Sequence, residues 1–157
     1  LHRTVQALDQ LGVRYLVTIG GDDTAFAAAA VAKAADGSMR VAHIPKTIDK
    51  DLSGTDYTLG FDTALRNVTE VIERSRTPAG SHGWVQVIEV MGRHSGHLAL
   101  WSGLAGQADI ILIPEHPFRY EKVYRLLEAK LGDSTSHARD PQHPPACGHP
   151  GVTAHGA

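Results

Sequence analysis

The chain has 157 residues, 42% of them apolar and 20% charged, with a formal net charge of −2. That length fits about one domain, and the apolar fraction suffices for a core, which excludes wholesale disorder. There is no basic excess to attract nucleic acid, no apolar run near the roughly 20 residues of a membrane span, and only Cys147 as a thiol, so no internal disulfide.

Val5, Leu8 and Leu11 recur at helical spacing, and Gly12 suits a C-terminal cap. Tyr15 to Ile19 reads as a strand. Gly20-Gly21-Asp22-Asp23-Thr24 turns the chain, with Thr24 placed to cap an alanine-rich helix ending near Ala35. Asp36-Gly37 breaks that helix, and Arg40 to Ile44 forms the next strand, which Pro45 is expected to close. Residues 45–56 are polar and irregular. Leu59 to about Arg76 is amphipathic, with Phe61, Leu65, Val68 and Ile72 on one face, and Pro78-Ala79-Gly80 is expected to break it. Trp84 to Val90 is a strand, Met91-Gly92-Arg93 turns into a helix from about His94 to Ala105, and Asp109 to Ile113 is another strand. A last helix covers about Tyr120 to Leu131.

Strands and helices alternating in this way imply parallel pairing with right-handed crossovers. The expected architecture is α/β, a Rossmann-like three-layer sandwich with a mostly parallel sheet. The strands are apolar nearly throughout, as expected where helices cover both faces. Ligands in such folds sit beyond the carboxyl ends of the strands. GGDDT, PKTIDKD, MGRHSG and the shorter PEHPF all occupy such ends, which argues for one active site. Residues 1–131 make one catalytic unit in this reading. Residues 132–157 carry four of the ten histidines and no Leu, Ile or Phe, and are expected to be a disordered tail. The six-residue spacing of His137, His143, His149 and His155 fits no usual metal-ligand pair, so a solvated tail is preferred to a metal site.

Each polar segment has its own chemistry. In GGDDT, Gly20 and Gly21 allow close approach of a ligand to the backbone, and the next helix presents free amides. Asp22 and Asp23 would repel a phosphate unless a cation intervened. Mg²⁺ takes one or two carboxylates together with phosphate oxygens, so a Mg²⁺–phosphate site is one reading. A tight turn whose acids favour the helix dipole is the other. In PKTIDKD, Lys46 offers a point charge, Thr47 a hydroxyl, and Asp49 a proton acceptor with Asp51 close by. That set suits phosphoryl transfer to an alcohol, although a solvated loop with internal Asp–Lys pairing is the simpler reading of this segment taken alone. In MGRHSG, Arg93 can clamp phosphate bidentately, with Gly92 and Gly96 permitting close approach, or is a surface Arg with His94 near a helix start. Glu115 either binds a sugar hydroxyl or is an exposed turn residue. Trp84 and Trp101 are read as packing residues.

Taken together, GGDDT, PKTIDKD, GTDYTLGFDTA, EVMGRHSG and IPE, in this order over about Leu1 to Leu131, resemble the phosphofructokinase family. The resemblance implies an incomplete phosphofructokinase fold. It implies that Asp22 binds Mg²⁺ and that Asp49 is the general base for the sugar 1-hydroxyl. Thr47 matches a position contacting the transferred group or substrate, and Asp51 an active-site carboxylate. Met91, Gly92 and Arg93 match the segment contacting fructose 6-phosphate, and Glu115 a sugar-hydroxyl ligand. Relatives are homodimers or homotetramers, and a cytoplasmic protein is expected, with no nucleic-acid or membrane partner.

Two positions speak to the phosphoryl donor. Asp23 stands where ATP-using members usually carry Gly after the GGD, and Lys46 where many bacterial ones have Gly before the TID. The pair looks like the pyrophosphate-dependent branch. A carboxylate about 4 Å from the α-phosphate of ATP, at an effective dielectric of about 20, costs about 4 kcal/mol. Pyrophosphate has no third phosphate to meet it, and Lys46 can neutralise charge developing on the transferring group. The donor site is therefore expected at Gly20, Gly21, Asp23 and Lys46. An ATP-dependent relative and a non-catalytic nucleotide- or sugar-phosphate-binding module are the alternatives.

The chain also departs from the family. Trp84 replaces an Arg that reaches a neighbouring subunit, and Lys50 replaces the usual Asn of TIDND. The N-terminal glycine-rich and C-terminal sugar-phosphate-binding regions do not appear. The expectation is an internal fragment with a spurious or frameshifted end and without full activity alone.

Overall fold

A computed structural model of the chain describes residues 1–137 and 152–156, with side chains through residue 132. It divides into two compact units, Leu1–Phe61 and Asp62–Ala157, where the sequence reading had one run to residue 131. Among the described residues all strand pairing is parallel, and the strands fall into two three-stranded sheets, one in each unit.

In the first unit, helix α1 (His2–Gln10) leads into strand β1 (Tyr15–Gly20), helix α2 (Asp22–Ala35), strand β2 (Arg40–Thr47) and the two-residue strand β3 (Leu59–Gly60). β2 lies between β1 and β3, with Tyr15 opposite Arg40 and Gly20 opposite Pro45. Val5, Ala35 and Met39 form the buried core, joined by Leu8, Val13, Leu16, Val31 and Val41. The helix periodicity of α1 and α2 and the two-residue period of β1 and β2 thus meet on one face. The other face of β1 is open: Tyr15, Val17 and Ile19 are exposed, so helices do not cover both faces among the described residues.

Two local expectations change here. Pro45 does not close β2, which runs on to Thr47. Its missing N–H falls opposite Gly20, the last residue of β1, where the ladder is ending anyway. Thr24 does not cap α2. Gly21 is the N-cap, and Asp22 and Asp23 occupy the first turn, where the helix dipole favours acids.

In the second unit, helix α3 (Phe61–His82, its first residue belonging to the first unit) precedes strand β4 (Gln86–Val90), helix α4 (His97–Ala105), strand β5 (Ile110–Leu112), helix α5 (Tyr120–His137) and strand β6 (Val152–Gly156). α3 passes through Pro78 instead of stopping before it. A proline forfeits one helical hydrogen bond, and here the last turn is held by the complete burial of Ala79 and by the Trp84 N–H donating to the Ala79 carbonyl. Arg76 donates to the carbonyls of Gly106 and Gln107, fastening α3 to the end of α4, and Ile72 lies beneath Gly106. Ser102, fully buried, returns its hydroxyl to the Leu98 carbonyl at 2.6 Å. Trp84 and Trp101, read as packing residues, remain 54% and 49% exposed, and the Trp84 ring lies 4.5 Å from that of His82.

The segment expected to be a disordered tail contributes structure. α5 continues to His137, and Val152–Gly156 is inserted between β4 and β5, with Gln86 opposite Val152 and Ile110 opposite Thr153. Ladder hydrogen bonds are made by the backbone, so a central strand can form without the large apolar side chains whose absence argued against order. Cys147, His143 and His149 lie outside the described residues.

Candidate active site

The parallel register of β1 and β2 sets their carboxyl ends side by side, which brings Gly20, Gly21, Asp22 and Asp23 next to Lys46, Thr47 and Asp49. Gly20 is required by close approach. A Cβ there would lie 2.6 Å from Thr24 Cβ, because the first turn of α2 folds directly over the strand end. The Lys46 carbonyl is the nearest atom facing Gly21, at 3.9 Å from an added Cβ. Asp22 and Asp23 are exposed at the start of α2, and Asp22 Oδ1 accepts the Asp23 N–H at 2.9 Å. Lys46 is exposed at the end of β2.

The loop after β2 is anchored at Thr47. Its Oγ1 accepts the Asp49 N–H at 3.1 Å, and its carbonyl accepts the hydroxyl of buried Thr58 at 2.7 Å. Thr58 lies inside the GTDYT motif, yet the sequence reading assigned it no role. Burial pushes the Asp49 carboxyl above the ordinary aspartate range, and the charges of Asp51 and Asp22 push it further. A partly buried carboxyl with raised proton affinity at the end of a strand has the character of a general base.

The remaining predicted residues occupy the carboxyl ends of β4 and β5 in the second unit. Met91 and Arg93 are exposed. Gly92 has φ +132, and a Cβ there would collide with the Ser95 carbonyl, so only glycine fits this turn. The turn is closed by the Ser95 N–H donating to the Gly92 carbonyl at 3.2 Å, which delays α4 to His97 instead of His94. Glu115 is neither idle nor fully available. Its Oε1 accepts the N–H of Gly96, the N-cap of α4, at 2.7 Å. That backbone donor holds the Glu115 carboxyl below the ordinary glutamate range, helped by its own backbone N–H and by His97 and opposed by burial. Gly96 was expected only to permit close approach. A carboxylate three residues past β5, facing a helix start, carries its second use.

No cluster of three or more His, Cys, Asp or Glu side chains suited to a metal occurs among the described residues. The exposed Asp22 carboxylate, with Asp23 beside it, is a hard-oxygen donor set that suits Mg²⁺ completed by phosphate oxygens, not an all-protein cage.

A family model described as Phosphofructokinase matches residues 1–139, past the boundary expected at 131. The ATP-dependent 6-phosphofructokinase of Chloroflexus aggregans is 51% identical over 128 residues, covering 82% of this chain and 35% of that protein. The pyrophosphate–fructose 6-phosphate 1-phosphotransferase of Amycolatopsis methanolica is 51% identical over 120 residues, covering 76% of this chain and 34% of that protein. The crystal structure of a pyrophosphate-dependent phosphofructokinase from Marinobacter aquaeolei aligns with a TM-score of 0.79 at 26% identity, covering 98% of this chain and 39% of that one. The chain therefore spans about a third of the length of the curated relatives it matches.

Proposed function

Since this chain belongs to the phosphofructokinase family, we propose that the full-length protein transfers a phosphoryl group from pyrophosphate to the 1-hydroxyl of fructose 6-phosphate. The products are fructose 1,6-bisphosphate and phosphate. Asp49 takes the proton of the 1-hydroxyl as its oxygen attacks the terminal phosphorus. The phosphoanhydride bond breaks, and phosphate leaves. Lys46 offsets negative charge on the transferring group, and Thr47 holds the Asp49 N–H so that the carboxylate is presented by a fixed backbone. Met91, Gly92 and Arg93 hold the sugar phosphate, and Glu115 offers its second carboxylate oxygen to a sugar hydroxyl. Mg²⁺ held by Asp22 would neutralise phosphate charge when bound. Because the donor is a phosphoanhydride of modest energy, the reaction runs readily in both directions. A homodimer or homotetramer in the cytoplasm is the proposed setting, and no described helix is long and apolar enough to cross a membrane.

The observation that supports pyrophosphate is Asp23 in the first turn of α2, beside the strand end that carries Lys46. A carboxylate there opposes a third phosphate and leaves a two-phosphate donor unhindered. ATP as donor is the second reading, favoured by the name of the Chloroflexus relative, which is as similar as the Amycolatopsis one.

The test is fructose 1,6-bisphosphate formation by the full-length gene product with Mg²⁺ and either pyrophosphate or ATP. Turnover with pyrophosphate alone, and ATP use gained on Asp23→Gly with or without Lys46→Gly, is the expected result. The repulsion of about 4 kcal/mol limits that gain to about 10³-fold. Turnover with ATP alone overturns the donor assignment and keeps the family. Sugar-phosphate binding without turnover on either donor would make the protein a non-catalytic module.

A further inference from the structure

Between the end of β2 and the start of β3 the chain has no regular structure, yet it carries both Asp49 and Asp51. Its ends are fastened at Thr47 by Asp49 and Thr58, and Thr55 donates its hydroxyl to the Tyr57 carbonyl. Lys50, between the two carboxylates, has φ +53. That left-handed conformation suits Gly or Asn and carries a steric cost for a long side chain, so it persists where surrounding contacts over-determine it. The Lys50 ammonium supplies such contacts. Its Nζ lies 5.3 Å from the centroid of the Tyr57 ring and 5.2 Å from that of Phe61. Both distances fall within the range where the negative face of a ring attracts a cation. Phe61 is 4% exposed, so it is a fixed anchor, whereas Tyr57 is 71% exposed.

We propose that Lys50 is a positioning residue, whose ammonium, clasped between Tyr57 and Phe61, holds the 48–57 loop in the arrangement from which Asp49 acts. The clasp ties the residue next to the base to the loop's far end and to the first residue of α3. It acts through the backbone of Asp49, so its loss affects the chemical step more than sugar-phosphate binding. The inference rests on the reading of Asp49 as general base.

The test measures kcat and KM for fructose 6-phosphate in the full-length gene product. Lys50→Met keeps the stem and removes the charge, and Tyr57→Leu removes a ring. Each should lower kcat about tenfold, with KM within about twofold. Tyr57→Phe retains the ring face and should keep wild-type kcat. The Lys50→Met/Tyr57→Leu double variant should lose little more than Lys50→Met alone, because the Tyr57 contact is already gone once the ammonium is removed. Should Lys50→Met fail to fold, the Tyr57→Leu and Tyr57→Phe pair decides. Unchanged kcat in Lys50→Met and Tyr57→Leu, a rise in KM alone, or fully multiplicative losses would overturn the clasp. Asp49→Asn separates the two readings. If it keeps turnover, the base assignment itself fails. If it abolishes turnover while Lys50→Met and Tyr57→Leu behave as wild type, only the clasp fails.

Discussion

Asp49 and Glu115 are both carboxylates placed just beyond a strand end, and their surroundings displace them in opposite directions. Asp49, in the first unit, is partly buried near Asp51 and Asp22, so its proton affinity is raised. Glu115, in the second unit, is exposed and accepts the Gly96 N–H, so its charged form is favoured. Environments that push two like groups apart separate their roles. A carboxyl that pays for its charge by burial is suited to take a proton. One held charged by a backbone donor is suited to fix a turn and to accept a hydrogen bond. The contrast also reverses their effects on stability. Asp49 favours the folded state at pH below the ordinary aspartate range, and that contribution is lost as pH rises through its raised folded value. Glu115 favours the folded state above the ordinary glutamate range, and its contribution is lost as pH falls through its lowered folded value.

The sharpest way to break the contrast is Asp49→Asn in the full-length protein. Turnover should fall by roughly 10²–10⁴, with fructose 6-phosphate binding retained. Melting temperature at neutral pH should rise, because a partly buried charge near two others is removed. Turnover near the wild-type rate would remove Asp49 from the mechanism. A fall in melting temperature would contradict the burial argument.

A smaller effect is expected at Asp51. Its charge raises Asp49, so Asp51→Asn should move the acid limb of the kcat/KM profile to lower pH, and activity in acid should rise relative to activity at neutral pH. A limb that stays in place, or moves up, contradicts the coupling.

The smallest effect belongs to Glu115→Gln. A neutral acceptor can still meet the Gly96 N–H, and the group is exposed, so the loss should stay under about 1 kcal/mol. Thermal melting should show the deficit near neutral pH and a vanishing deficit in acid, where the wild-type carboxylate protonates. An equal deficit at every pH would mean that charge plays no part in holding the turn.

Much of this was legible from local pattern. Tyr15 to Ile19 and Ile110 to Leu112 form strands because their apolar character is nearly continuous, Gln86 to Val90 because Val87, Ile88 and Val90 favour extended backbone, and the amphipathic spacing of α3 is a property of the chain itself. The prolines were misleading. A proline removes one donor and restricts one dihedral, which reads as a stop, but β2 passes Pro45 and α3 passes Pro78 where the lost bond is tolerated. Strand β6 left no trace in composition, since pairing on both sides compensates for small and polar side chains. Thr58, Gly96 and the Tyr57–Lys50–Phe61 clasp stayed hidden for another reason. Each depends on residues brought together by the folded chain and not by a fixed sequence spacing.

By itself, then, the order of residues determined the α/β alternation, the parallel strands and the family, together with which side chains belong at the strand ends. These follow from local periodicity and from motifs readable in a single line. Only the tertiary structure decided that the sheet is divided into two three-stranded sheets, that Asp49 is pushed up while Glu115 is pulled down, and that Lys50 faces two rings. Burial, neighbouring charge and backbone donors are properties of the space around a group, and that space exists only once the chain has folded.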